Sequence, residues 1–311
     1  MLSFTEPQKI SAKFSWLFRN NGVGLRPNYV KHMEVYASKN ALQDALKAAR
    51  KAGKTIGLVP TMGALHDGHI SLVRRCRAEN DVVVVSVFVN PTQFNDPKDL
   101  ERYPRTLEAD TRLLAAAGCD MTFAPSVEEM YPEKDTRVFR FGPLEEVMEG
   151  VRRPGHFNGV AQIVSKLFDA VQPDRAYFGE KDFQQLAIIR HMVAQYGYGI
   201  DIVPCPIVRE ADGLAMSSRN TLLNASQRAA APLIYHTLAA AKALQHDMTV
   251  AELKDFVTAQ INRSSELKVE YFEIVGAEDL QPVSSREEGK ALQGCIAVQA
   301  GAVRLIDNIA F

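Results

Sequence analysis

Ile56-Gly57-Leu58-Val59-Pro60-Thr61-Met62-Gly63-Ala64-Leu65-His66-Asp67-Gly68-His69 is the stretch on which the fold reading turns. It opens as a short apolar run, which predicts a buried strand. Pro60 and Gly63 interrupt the run and predict a turn. Beyond the turn, His69-Ile70-Ser71-Leu72-Val73-Arg74-Arg75 resumes at helical spacing. A strand, a glycine-containing turn and a helix in that order leave free N–H groups and the positive end of a helix at the mouth of a sheet, where phosphate binds well. His66 and His69 fall one helical turn apart on that mouth. The plainer alternative is an ordinary turn with a histidine cap, and this stretch alone does not separate the two.

Working outward, Ser38 to Gly53 predicts a helix in front of this strand, and Met33-Glu34-Val35-Tyr36 an opening strand. Asp81 to Val89 is a continuous apolar run, expected of a strand buried on both faces in a parallel sheet. It ends at Asn90-Pro91-Thr92-Gln93-Phe94, and in an open α/β sheet ligands bind beyond the carboxyl ends of the strands. Gln93 lies just past such an end. Asp99 to Ala117 reads as one helix, Asp120 to Pro125 as a short strand, Val138 to Phe141 as another, and Val160 to Ala170 as a helix. The turn at Arg152-Arg153-Pro154-Gly155-His156-Phe157-Asn158-Gly159 is basic. It could close over an anion, or it could be a simple loop.

Asp174 to Leu186 repeats the strand–turn–helix order. Lys181 at that turn is placed to meet a phosphate, Asp182 to accept from sugar hydroxyls, and Gln185 to face the same cleft. A charged turn capping a helix would look the same. Ile200 to Arg209 reads as the last strand of the sheet, followed by Asp212-Gly213-Leu214-Ala215-Met216-Ser217-Ser218-Arg219-Asn220. Two hydroxyls beside the planar fork of an arginine suit phosphate. A helix cap at Ser217 or Ser218 is the alternative. From Ser226 the composition changes to an Ala-rich helix reaching Gln245. A second helix spans Val250 to Ser264, and three strand-like segments lie at Val269–Val275, Cys295–Ala300 and Ala302–Ile306.

The expected fold is therefore α/β: a Rossmann-like doubly wound parallel sheet with a smaller C-terminal α+β domain. The expected divisions are an extension at 1–32, a nucleotide-binding domain at 33–207, and a C-terminal domain at 208–311 that carries the Met216–Asn220 loop. Residues 1–32 follow no period and carry no Ala-x-Ala cleavage site, so Met33 reads as the start of the functional unit.

With 311 residues, 46% hydrophobic content and a net charge of −1, the chain has enough apolar material for a real core and no basic surface for nucleic acid. No apolar run reaches the ~18 residues a membrane span needs. Cys76, Cys119, Cys205 and Cys295 are scattered without a Cys-x-x-Cys pair, which speaks against a structural zinc site or a disulfide framework. The expected setting is the cytoplasm. No Gly-x-Gly-x-x-Gly follows the first strand, and no P-loop or Gly-x-Ser-x-Gly elbow is present, so dinucleotide, P-loop and esterase chemistry drop out.

The His66-Asp67-Gly68-His69 turn paired with Met216-Ser217-Ser218-Arg219 resembles the nucleotidyltransferase superfamily, which includes class I aminoacyl-tRNA synthetases and cytidylyltransferases. The second motif departs from the superfamily form: Ala215 stands at its first basic position and Arg219 at the later one. A closer resemblance rests on Val59–Gly63, His66–His69, Phe88–Pro91, Gln93-Phe94, Tyr103–Thr106, Arg153–Phe157, Phe178–Asp182, Met216–Asn220 and the C-terminal Leu305–Asn308. Together these resemble the pantoate–β-alanine ligase family from about Met33 onward.

That resemblance implies a two-step reaction of pantoate, ATP and β-alanine through pantoyl adenylate. It implies His69, His66, Lys181 and Arg219 as catalytic residues. For ATP it implies Met62, Gly63, Ala64, Leu65, His66, Asp67, Gly68, His69, Gly179, Glu180, Lys181, Asp182, Val208, Met216, Ser217, Ser218 and Arg219. For pantoate and β-alanine it implies Pro60, Met62, Gln93 and Gln185. It further implies Mg2+ carried mostly by the nucleotide, with Asp110 touching it through water, and a homodimer. The competing readings are a cytidylyl- or adenylyltransferase acting on a phosphorylated alcohol, a class I synthetase fragment, and a non-catalytic nucleotide-binding module. The neutral Gln93 and Gln185 speak against the first. The net charge and a ~100-residue C-terminal part speak against the second. Retention of His66, His69, Lys181 and Arg219 speaks against the third.

Overall fold

The computed structural model describes residues 33–95, 97–286 and 289–311. The expectation for an extension at 1–32 lies outside the described residues. In order, the elements are β1 (Glu34–Tyr36), α1 (Lys39–Lys51), β2 (Ile56–Thr61), α2 (Asp67–Glu79), β3 (Val82–Val87), α3 (Pro97–Arg102), α4 (Leu107–Ala116), β4 (Met121–Phe123) and α5 (Val127–Met130). There follow α6 (Met148–Arg152), α7 (His156–Val171), β5 (Arg175–Gly179), α8 (Phe183–Tyr196) and β6 (Asp201–Cys205). The C-terminal part adds α9 (Ala225–Ala230), α10 (Leu233–Ala243), α11 (Val250–Ile261), β7 (Lys268–Gly276), β8 (Leu292–Ala300) and β9 (Val303–Ala310).

β1 to β6 form one sheet in the order β1-β4-β3-β2-β5-β6. Every pairing in it is parallel. The apolar run at Val82–Val87 explains why. Val82 and Val84 pack into the core shared with α1, α7 and α8, while Val83 and Val85 pack into the opposite core with α2 and α4. Successive side chains of a strand point to opposite faces, so a strand covered on both sides must be apolar throughout. From β2 the chain winds one way through β3 and β4, and then returns to lay β5 on the other flank of β2. The switch point lies between β2 and β5, and the turns after these two strands open beside one another.

The remaining strands, β7-β8-β9, form a separate antiparallel sheet. It packs with α10 and α11 around a hydrophobic cluster of its own. β8 and β9 are joined through Gly301, whose φ of +60° suits a residue without Cβ.

Three expectations need correction. Asp99–Ala117 is not one helix: α3 ends at Arg102 and α4 starts at Leu107. Pro104 lies between them, and a proline disfavours helical backbone in the residue before it. The Ala-rich helix from Ser226 to Gln245 is likewise divided, with Pro232 between α9 and α10. Val138–Phe141 is not a strand. It runs beside α7, where the Phe139 N–H donates to Asn158 Oδ1 at 2.8 Å and Phe139 and Phe141 enter the core. Its apolar alternation serves burial without a neighbouring strand.

Candidate active site

Two turns and one loop build the site. The first turn leaves β2 at Thr61, whose Oγ1 donates to Ser86 O at 2.6 Å and accepts from the Gly63 N–H at 3.2 Å. The backbone then takes two left-handed residues in succession, Gly63 at φ +83° and Ala64 at φ +50°. The alanine is unusual there, because a Cβ in this region costs roughly 1–2 kcal/mol. Asp110 of α4 holds the turn in place. Its carboxylate is buried, and it accepts from the Ala64 N–H at 3.0 Å, the Leu65 N–H at 2.8 Å and the Thr106 hydroxyl.

Two histidines follow at the start of α2. Their ring centroids are 4.0 Å apart and the planes are inclined by 39°. The His66 N–H donates to His69 Nδ1 at 3.4 Å. A ring nitrogen that accepts carries no proton, so the His69 proton resides on Nε2. Both rings are held neutral near pH 7. Burial, with the Lys181 charge second, pushes His66 down to about 4. Burial, followed by the neighbouring His66 and Lys181, pushes His69 down to about 3.

The second turn leaves β5 at Gly179 and forms a single 3₁₀ turn, Glu180–Asp182, ahead of α8. The Asp182 side chain makes no capping bond to α8, so the expected alternative of a plain charged cap does not describe it. Its carboxylate lines the cleft together with Lys181 and Gln185.

The loop after β6 enters through a narrow hairpin in which the Met216 N–H donates to Val208 O at 3.0 Å. Ser217 Oγ accepts from the Arg219 N–H at 3.3 Å and so caps the 3₁₀ turn Ser218–Leu222. Ser218 Oγ donates to Ala64 O at 3.0 Å, joining the loop to the first turn. The Arg219 guanidinium lies 5.8 Å from the centre of the Tyr103 ring.

These three segments surround a cleft of about 230 Å³. Of the residues named from sequence, Pro60, Met62, His66, Gly68, His69 and Gln93 line it on the β2–β3 side. Gly179, Lys181, Asp182, Gln185, Val208, Met216, Ser217, Ser218 and Arg219 line it on the β5–β6 side. Gly63, Ala64, Leu65, Asp67 and Glu180 belong to the same turns but not to the wall. Asp110 lies behind the first turn with both oxygens bonded to it, bracing the turn, and does not line the cleft. Among the described residues no group of three or more His, Cys, Asp or Glu side chains is arranged to hold a metal ion.

Sequence reasoning missed the apolar wall. Val160, Ile163, Val164 and Leu167 of α7 line the cleft together with Phe178 and Phe88. The only sequence signal for them was an ordinary helical stripe. It also missed how Gln93 is held. Its Oε1 accepts from Asn90 Nδ2 at 3.2 Å, and its Nε2 lies 3.1 Å from the Met62 sulfur. Its backbone carbonyl takes bonds from His156 Nδ1 at 2.9 Å and Arg153 at 3.3 Å. His156 is buried, and burial followed by the Arg153 charge pushes it down to about 4. The basic turn thus supports Gln93 through its carbonyl.

A doubly wound parallel sheet with a His-x-Gly-His turn, a lysine turn and a Met-Ser-Ser-Arg loop opening on one cleft defines an α/β protein with a phosphate-suited site at its switch point. Comparison with known proteins narrows the class. The description Pantoate-beta-alanine ligase matches residues 34–310, and the chain belongs to that family. A pantothenate synthetase of Bacteroides thetaiotaomicron is 60% identical over 279 residues, covering 90% of this chain and 99% of that protein. A crystal structure of pantothenate synthetase from Thermus thermophilus superposes with a TM-score of 0.83 at 46% identity, covering 89% of this chain and 99% of the other. The Francisella tularensis pantoate-beta-alanine ligase, solved as a complex with Beta-gamma ATP and Beta-alanine, gives 0.76 at 34% identity, covering 89% and 97%.

Proposed function

We propose that this chain condenses pantoate with β-alanine at the expense of ATP, releasing AMP, pyrophosphate and pantothenate through a pantoyl-adenylate intermediate. The family match supports the overall reaction, a ligase forming a C–N bond. The observation that carries the mechanism is the convergence on one cleft of two neutral histidines, Lys181 and the Ser217–Arg219 donors. No side chain there acts as a nucleophile, and none is required, because the pantoate carboxylate supplies one.

In the first step a carboxylate oxygen attacks the α-phosphorus. The bond to the bridging oxygen of the β-phosphate breaks, and pyrophosphate leaves. The enzyme's task is alignment and charge stabilisation. Gln93 and Gln185 bind pantoate beside Pro60 and Met62, with neutral amides for its hydroxyls and carboxylate. His66 and His69 face the phosphates. With its proton on Nε2 and its titration pushed down to about 3, His69 acts near pH 7 as a neutral hydrogen-bond donor. Lys181, Ser217, Ser218 and Arg219 meet the charge gathering on pyrophosphate. Gly179, Asp182 and the Val208 backbone take the adenosine. In the second step the β-alanine nitrogen attacks the acyl carbon, its bond to the AMP oxygen breaks, and the nitrogen gives up a proton.

Magnesium, which this reaction type implies, would enter with the nucleotide and offset phosphate charge beside Lys181, Ser217, Ser218 and Arg219, and Asp110, bonded to the Ala64 and Leu65 amides, would reach it only through water. We also infer a division into domains near residue 208, a homodimeric assembly and a cytoplasmic setting. No described helix is long and apolar enough to cross a membrane.

The decisive experiment measures pyrophosphate and AMP with ATP and pantoate, each with and without β-alanine. Pyrophosphate release that requires pantoate, with AMP and pantothenate released only when β-alanine is added, is the expected result. Pyrophosphate release indifferent to pantoate would refute the reading.

A further inference from the structure

The Leu305–Asn308 stretch carries part of the family resemblance, yet none of it lines the cleft around His66, Lys181 and Arg219. It lies on β9, in the other sheet. We propose that Asn308 is a positioning residue that sets Lys181 in the nucleotide site from behind. The proposal rests on the role given to Lys181 above.

Both ends of the Asn308 amide are engaged. Nδ2 has two protons and donates to the Glu180 carbonyl and to the Lys181 carbonyl, each at 2.9 Å. Its Oδ1 accepts from Gln293 Nε2 at 2.7 Å. Two backbone carbonyls can only accept, so they fix which end of the amide faces them. Asn308 and Gln293 are both buried, which favours these protein partners over bulk water. The two carbonyls belong to the 3₁₀ turn Glu180–Asp182. A single turn of this kind closes few bonds of its own, and its geometry is weak. Without Asn308 the two carbonyls lose the side-chain donor that ties them to β9, and the backbone beneath Lys181 loses its anchor.

The residue next to it does the matching work on the other loop. Asp307 accepts from Arg209 in a two-pronged pair at 2.6 and 2.9 Å. Arg209 stands at the root of the hairpin that delivers Ser217–Arg219, where it bridges to Ala215 and stacks 4.0 Å over the Tyr235 ring. Two consecutive residues of β9 therefore hold both segments that bear cations into the cleft. This explains how a strand of a separate sheet, contributing nothing to the wall, can govern nucleotide affinity.

The test is a double-mutant cycle on the full chain, comparing Asn308→Ala, Lys181→Ala and the double variant by kcat and by KM for ATP and pantoate. Acting through Lys181, the loss of Asn308 lowers kcat/KM for ATP about tenfold with the KM for pantoate unchanged, and adds nothing in the Lys181→Ala background, since residues in one network fail to add. An equal factor in both backgrounds, or an equal rise in both KM values, would mean that Asn308 serves general stability, and the proposal would fall. Near-normal activity in Lys181→Ala alone removes the role of Lys181 itself. A normal Asn308→Ala beside a crippled Lys181→Ala removes only the positioning. Should Asn308→Ala not fold, Gln293→Ala keeps Asn308 but releases its amide. The same ATP-selective pattern at smaller size supports the proposal, and unchanged ATP kinetics overturn it.

Discussion

The two turns that face each other across the switch point do similar work and are held by opposite means. The His66–His69 turn is held by its own sheet layer. Asp110 on α4 binds the Ala64 and Leu65 amides, and the turn accepts a left-handed alanine in return. The Glu180–Asp182 turn is held from outside that sheet, by an amide of β9 on its carbonyls. One brace is a charge meeting two N–H donors. The other is a neutral side chain meeting two C=O acceptors. The histidine side of the cleft is thus braced from within the parallel sheet's own layer, with the Ser218–Ala64 bond added across the cleft, while the cationic side leans on the C-terminal sheet.

The largest effects are expected at the groups proposed to be catalytic. Lys181→Ala and His69→Ala should each cut turnover by ~10²-fold or more with unchanged thermal unfolding, as for the loss of a key transition-state donor. Steady-state kinetics beside a melting curve checks this. Near-normal turnover in either variant would end the assignment of that turn.

Next come the braces. Asp110→Ala strips two backbone N–H groups of a charged acceptor, and each such bond contributes about 1.5–3 kcal/mol. Denaturant unfolding should register the loss, and turnover should fall as well, because the histidines ride on this turn. Adding Ala64→Gly should recover part of the stability, roughly 1 kcal/mol, by removing the Cβ from a left-handed position. No recovery would mean that Ala64 is not strained and that Asp110 acts elsewhere.

Acid should distinguish the two turns further. His66, His69 and His156 are all pushed below their ordinary 6.5, to about 4, 3 and 4. The unfolded chain takes up these protons first, so the neutral rings contribute their full stability above pH 6.5, and the contribution is lost as the pH falls toward 4. All three belong to the histidine turn or to the support of Gln93, and none to the Lys181 turn. Melting temperature should therefore drop from pH 7 to 4.5, and the slope should be shallower in His156→Asn, which can still donate to the Gln93 carbonyl. An unchanged slope would show that His156 titrates normally.

How much of this was legible in the sequence depended on whether a residue's type announces its partner. Val82–Val87 reads as a doubly buried strand because both faces of a parallel sheet demand the same chemistry. His66, Lys181 and Arg219 were legible because strand–turn–helix order places them at strand ends. Asp110 was not. A carboxylate in a helix looks the same whether it holds magnesium or two amides, and its partners lie 45 and 46 positions away. Asn308 was hidden for the same reason, across 127 and 128 positions. The divided helices had a visible cause in Pro104 and Pro232, which apolar spacing outweighed in the reading. Residues of the cleft wall thus announced themselves through local motifs, whereas their supports were long-range.

The smallest effect concerns residues 1–32. Both turns, both braces and the loop between them fall within Met33–Asn308, and the family match begins at residue 34. Met33 itself takes part, with its sulfur 3.3 Å from Thr122 Oγ1 beside β1 and β4. A chain that starts at Met33 should keep the kcat and all three KM values of the full chain, as well as its melting temperature. Selective loss of ATP affinity in the shortened chain would break the comparison at its root. It would mean that β9 and Asp110 are not sufficient to set the two turns.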